Sequence, residues 1–145
     1  MLFIASIMSS TVTRSRSATA SECVSFRSTL PRSSLEWSAT GAQRATKGLL
    51  PSGSRVRLFA EPATDRVDQY GRLLRYVVRV NGAVNVNVRL VTIGAAAPYF
   101  YKGRRGRYAN RLEFLAKRAR ARKLGLWKAC PRTIYDPYHG VQTRR

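Results

Sequence analysis

The chain has 145 residues, a one-domain length with room for a modest core. Its 27 lysines and arginines face 7 acids, giving a formal charge of +20 and a pI near 11.5. That imbalance points to a polyanionic partner, nucleic acid before an anionic membrane surface; a solvated, over-charged surface with no specific partner is the plainer alternative. No apolar run approaches the roughly 18 residues that span a bilayer. The opening "MLFIASIM" is too short for that and lacks the basic start of a signal peptide, which leaves export open.

Residues 1–40 read as irregular. From residue 9 onward they are rich in Ser, Thr, Arg and Ala, with no sustained period of 2 or 3.6. "GAQRATKGLLPSG" predicts a short helix closed by Pro51 and Gly53. "RVRLFAEP" (55–62) alternates basic and apolar residues, which predicts a strand with Val56, Leu58 and Ala60 on one face, stopped by Pro62. "LLRYVVRV" predicts a second strand, and Asn81-Gly82 a hairpin turn after it. "AVNVNVRLVTIG" begins as a strand and turns helical toward Gly94, and "APYFYKGRRGR" reads as a short aromatic strand running into a basic loop. From Asn110 to Leu124, Leu112, Leu115, Ala116 and Ala119 recur at helical spacing with arginines and lysines opposite. Gly125 reads as that helix's C-terminal cap, and "LWKACP" as a segment packing back. Residues 131–145 read as a basic tail. Short strands, a hairpin and interleaved helices predict an α+β domain or small barrel.

Arg72, next to the Gly71 turn, presents a rigid fork of donors suited to a phosphate and is charged at any working pH. Pairing with Asp65 or Asp68 is the alternative, and spacing alone favours it. Tyr99, Phe100 and Tyr101, followed by Lys102 and Arg104, read as aromatic platforms beside phosphate-binding cations, or else as a buried edge strand. Cys23 and Cys130 form one bridge in an oxidising compartment or remain two inert thiols. His139, the single histidine, sits in a polar stretch as a bystander; no Cys or His spacing suits zinc. There is no Gly-rich phosphate loop and no Ser-His-Asp set, and the acids Glu22, Glu36, Glu61, Asp65, Asp68, Glu113 and Asp136 form no metal-binding motif. On chemistry alone the chain is a basic nucleic-acid-binding module.

Three motifs in order add to this: Tyr-Gly-Arg-x-Leu from Tyr70, Val-Asn-x-x-Leu-Val from Val86, and Ala-x-x-x-x-x-Gly-Leu-Trp from Ala119. From about residue 42 to 130 the chain resembles the second half of the staphylococcal-nuclease (thermonuclease) family. The resemblance implies a five-stranded OB-fold barrel with three helices, cleavage of DNA and RNA with Ca²⁺, a monomer, and an extracellular setting. It divides the chain into residues 1–40, a partial nuclease-like domain over 41–130, and a tail over 131–145. It assigns Arg72 to the phosphate of the transition state, Tyr70 to a nucleotide phosphate, and Tyr99 and Tyr101, with Lys102 beside them, to the nucleotide pocket. On that reading the Tyr-Gly-Arg turn aims donors at a phosphodiester.

The family's first half brings three strands and the motif Arg-Leu-x-x-Ile-Asp-x-Pro-Glu, which supplies a second arginine, a calcium carboxylate and a general base. This reading frame does not contain it. Without those carboxylates nothing holds a hard cation, and without its first three strands the barrel cannot close. The expectation is therefore a nuclease lineage with a defective site; the alternative is a non-enzymatic basic module. One frame away the motif returns. With permitted codons, reading Cys23–Arg32 from the third base gives Arg-Leu-Leu-Gln-Ile-Asp-Ala-Pro-Glu. The same frame restores a further cysteine as a partner for Cys130.

Overall fold

A computed structural model describes residues 41–68 and 71–143. The readings made for residues 1–40, including Cys23, and for Tyr70 lie outside the described residues. The elements, in chain order, are α1 (Ala42–Leu49), β1 (Val56–Phe59), β2 (Tyr76–Arg79), β3 (Val84–Asn85), α2 (Val86–Thr92), α3 (Ala109–Ala121), α4 (Leu126–Ala129), β4 (Thr133–Asp136) and β5 (Gly140–Thr143). The expected α+β class holds. The strands form an antiparallel sheet in the order β1-β2-β3 and a separate β4-β5 hairpin, so the described residues contain no closed five-stranded barrel.

Helix α2 organises the core. Val86, Asn87, Val88, Leu90 and Val91 are all buried, so the helix is covered nearly all round, by β2, α3 and α1. Val77 of β2, Ala95, and Leu112 and Ala116 of α3 complete the apolar cluster. Two asparagines set the helix in place. The Asn85 side chain caps it by accepting from the Val88 N–H at 3.1 Å. Asn87, fully buried, accepts from the Val77 N–H at 2.9 Å and so joins helix to sheet.

Val56 pairs with Arg79 and Phe59 with Tyr76, and the Asn81-Gly82 turn leads into β3. The alternating face expected for β1 is not buried. Leu58 and Phe59 stand exposed on β1, the edge of a three-stranded sheet, and Val67 and Leu73, paired in a bridge outside it, are exposed as well. The strand expected around Tyr99 is absent as well. Pro98 carries no N–H for a ladder, and the segment instead turns once as a 3₁₀ helix, Tyr101–Gly103, with Lys102 at φ 51°. Phe100 alone of its aromatic trio is fully buried, and its N–H donates to the Pro137 carbonyl at 2.8 Å.

Helix α3 buries Leu112, Ala116 and Ala119 as its spacing predicts, but it ends before the glycine expected to cap it. Lys123 takes the left-handed position at φ 50°, with its N–H bonded to the Arg120 carbonyl and the Leu124 N–H to that of Ala119. Gly125 instead opens α4. Tertiary contact explains the early stop: the Leu124 carbonyl lies so close to Gly94 that a Cβ there would sit 2.4 Å from its oxygen, and the Leu126 N–H bonds to the Gly94 carbonyl. The chain then delivers Trp127 into the interior, edge-on to Tyr135 with ring centroids 5.7 Å apart. Residues 133–143 are not a tail but the β4-β5 hairpin. β-formers flank Asp136-Pro137, and the Tyr138 N–H closes the turn on Asp136 Oδ1 at 2.8 Å. Cys130 is disulfide-bonded.

Asn87→Ala should lower the unfolding free energy by about 1–3 kcal/mol, since it strands a buried N–H, whereas the exposed Leu58→Thr should stay within about 0.5 kcal/mol of the parent. Lys123→Gly should raise it by about 1 kcal/mol by relieving the left-handed backbone. Urea denaturation followed by tryptophan fluorescence measures all three.

Candidate nucleic-acid interface

Two segments carry the residues singled out in the sequence. The first is a tight turn. Val67 bridges Leu73, the Asp68 N–H bonds to the Arg72 carbonyl at 3.0 Å, and the Gly71 N–H bonds back to the Asp68 carbonyl at 3.1 Å. Asp68 then grips Arg72 twice. Its Oδ1 accepts from the Arg72 backbone N–H at 2.9 Å and its Oδ2 from Nε at 2.6 Å. The Asp68 side chain is fully buried and that of Arg72 is 22% exposed. The pairing held open in the sequence is therefore formed, and its effect is to fix the plane of the guanidinium at the turn.

The second segment runs from Tyr99 to Arg107. Tyr99 and Tyr101 are half-buried, and Lys102 Nζ lies 5.3 Å from the centre of the Tyr101 ring. Lys102 and Arg104 both face Asp65, at 3.5 Å and 3.6 Å, so Asp65 links this loop to the chain leading into the Arg72 turn. Arg105 is a fastener. It donates to Glu113 (2.7 Å), to the Tyr138 hydroxyl (2.9 Å) and to Asn110 (2.7 Å), and it lies over the Phe100 ring. Those hydrogen bonds hold its pKa above the ordinary arginine value. The β4-β5 hairpin is thereby tied to the loop.

Glu61 anchors the loop's far end. It is buried, accepts from the Arg107 N–H at 2.9 Å, and pairs with Arg107 Nε at 3.3 Å. Gly106 lies against it: a Cβ there would sit 2.8 Å from both Glu61 Cγ and the Tyr76 hydroxyl. Burial, and then the Glu61 charge, push the Tyr76 phenol up to about 12. Hydrogen bonds from His139 and from the Tyr138 N–H hold the Asp136 carboxyl below its ordinary value. Every acid of the described residues thus has a cationic or histidine partner: Glu61 with Arg107, Asp65 with Lys102 and Arg104, Asp68 with Arg72, Glu113 with Arg105, and Asp136 with His139. No group of three or more His, Cys, Asp or Glu able to hold a metal ion occurs among the described residues. The solvent face of α3 adds Arg111, Lys117, Arg118 and Arg120, all exposed.

Arg72, Tyr99, Tyr101 and Lys102 stand out in the sequence, whereas the roles of Glu61, Arg105 and Tyr138 emerge only from the contacts they make. The turn-forming "DPYHG" was the available signal for the hairpin.

The described residues thus form an α+β domain with a pinned arginine at one turn and an aromatic, cationic loop. The chain belongs to the staphylococcal nuclease homologue family, whose sequence profile matches residues 27–129. That match begins upstream of residue 42 and ends just before the β4-β5 hairpin. No curated protein matches the chain.

Gly106→Ala should cost about 1–3 kcal/mol, because Glu61 or Tyr76 must give way. For Tyr76 the folded value near 12 exceeds the unfolded value near 10, so the unfolded chain loses its proton first. Stability is fully present below pH 10 and falls as pH rises toward 12. Tyr76→Phe should flatten that decline, read from urea midpoints at pH 9 and pH 11.

Proposed function

We propose that this chain descends from a phosphodiesterase acting on DNA and RNA, and that in this reading frame it binds nucleic-acid phosphates without calcium-dependent cleavage. One observation carries the reading: all five acids of the described residues are engaged by a basic partner while most of the cations face solvent. A polyanion therefore meets a cationic surface, and among the described residues a hard cation meets no spare carboxylate. Calcium, the metal the family resemblance implies, does not fit the described side chains. Arg72, oriented by Asp68, is suited to stabilising charge on a phosphate but cannot take a proton from water. Tyr99, Tyr101 and Lys102 supply stacking and a cation beside it. Tyr70 belongs to the same reading, by its place in the Tyr-Gly-Arg motif.

Binding should be indifferent to sequence, with log affinity falling linearly with log salt, roughly 0.7–0.9 per phosphate neutralised. A flat salt response in an anisotropy titration rules binding through phosphates out. Incubation of the purified chain with calcium and plasmid or RNA should give no cleavage above background, and robust calcium-dependent digestion would refute the defect. In a chain carrying the restored motif, Arg72→Lys should lose about 3–4 kcal/mol of transition-state stabilisation, seen as a fall in kcat.

The lineage reading and the alternative, a module that works by binding alone, separate at the gene. If codons 23–32 read from their third bases do not encode Asp-x-Pro-Glu, the frameshift is wrong and the binding module stands. If they do, intact mass of the native protein tells which chain the cell makes.

A further inference from the structure

We infer that Lys102 and Arg104 form an oxyanion site for one nucleic-acid phosphate, and that Asp65 is its built-in occupant, displaced when a phosphodiester enters. The inference rests on the nucleic-acid reading and adds to it a named contact and a brake on affinity.

Asp65 offers one oxygen to each cation. Oδ2 lies 3.5 Å from Lys102 Nζ and Oδ1 lies 3.6 Å from Arg104 Nη1. The two non-bridging oxygens of a phosphodiester present a similar fork with the same single charge. Both separations exceed the roughly 2.7–2.9 Å of a charge-assisted hydrogen bond. The Asp68–Arg72 and Glu113–Arg105 pairs, at 2.6 Å and 2.7 Å, do not. Asp65 Oδ2 is buried yet makes no hydrogen bond, whereas Asp68 and Glu61 are tied to backbone N–H groups. The exposures run the same way. The side chains of Lys102 and Arg104 are 63% and 56% exposed, and that of Asp65 is 25%. The cations reach into solvent, while the carboxylate sits beneath them as a loosely held counter-charge. Lys102 sits in the left-handed region at φ 51°, in the 3₁₀ turn that follows the aromatic segment. A phosphate entering there would replace two long ion pairs by shorter ones and release its own condensed counterions.

The test is anisotropy titration of a fluorescein-labelled single-stranded oligonucleotide from low to moderate salt. The parent chain is compared with Asp65→Asn, Asp65→Ser and, as a charge-matched control, Asp136→Asn, whose acid faces His139. Each variant is checked for its thermal unfolding midpoint, and the serine variant serves if the asparagine one does not fold. The inference expects Asp65→Asn to bind roughly fivefold tighter or more near 0.1 M salt, with a slope steeper by about 0.7 as one further phosphate is engaged. Asp136→Asn should gain less than half of that. Adding Lys102→Ala and Arg104→Ala should remove the gain in the Asp65→Asn background and cost less than that in the parent. Equal tightening by Asp136→Asn means bulk charge, and overturns the inference. So does unchanged or weaker binding by folded Asp65 variants when the parent binds. Failure of the parent and every variant to bind instead overturns the nucleic-acid reading, and the inference with it.

Discussion

A single buried amide decides how this domain is assembled. Asn87 lies on a helix whose other core positions are aliphatic, and its Oδ1 accepts the N–H of Val77 in the middle of β2. A short sheet of three strands leaves backbone donors to be satisfied, and a buried donor without a partner costs as much as several buried methylenes. By supplying that partner from α2, the molecule fixes the distance and register between helix and sheet. Val86, Val88, Leu90 and Val91 then pack against β2 and α3. Loops that leave this unit inherit its geometry, including the chain from Glu61 to Asp68 and the one from Tyr99 to Arg107.

The charged residues follow a second rule. In a chain with so few acids, three of the described ones serve to place an arginine. Asp68 orients Arg72, Glu61 holds Arg107, and Glu113 with the Tyr138 hydroxyl holds Arg105 across from the C-terminal hairpin. The buried carboxylates Glu61 and Asp68 are satisfied by backbone N–H groups as well as by ion pairs, the condition under which a desolvated charge is tolerated. Asp65 departs from that condition, with longer pairs and an unsatisfied oxygen. Similar residues thus do two jobs, rigid placement and loose neutralisation, distinguished by distance and by backbone support.

Leu58, Phe59, Val67 and Leu73 are large apolar side chains that stand exposed among the described residues. Leu58 and Phe59 lie on β1, whose outer edge is unpaired among the described residues.

What the sequence determined by itself is what depends on neighbours along the chain. Spacing of Leu112, Leu115, Ala116 and Ala119 set α3, alternation and Asn81-Gly82 set β1, β2 and the turn, and the motif order named the family. Arg72 stood out because a glycine turn and an arginine are adjacent, and either nearby aspartate was a possible partner. Contacts between distant segments needed the tertiary structure. The early end of α3 comes from Leu124 meeting Gly94, some thirty residues earlier, and a local cap rule has no access to that. The expected strand at Tyr99 gave way because Phe100 finds its partner in Pro137, beyond the family's matched stretch. The choice of Asp68 over Asp65 was likewise tertiary. Asp65 is drawn to Lys102 and Arg104 on another loop, leaving Asp68 to close the turn. Local propensity acts over a few residues, whereas the pairing of a buried charge is settled by whichever partner the folded chain brings within reach.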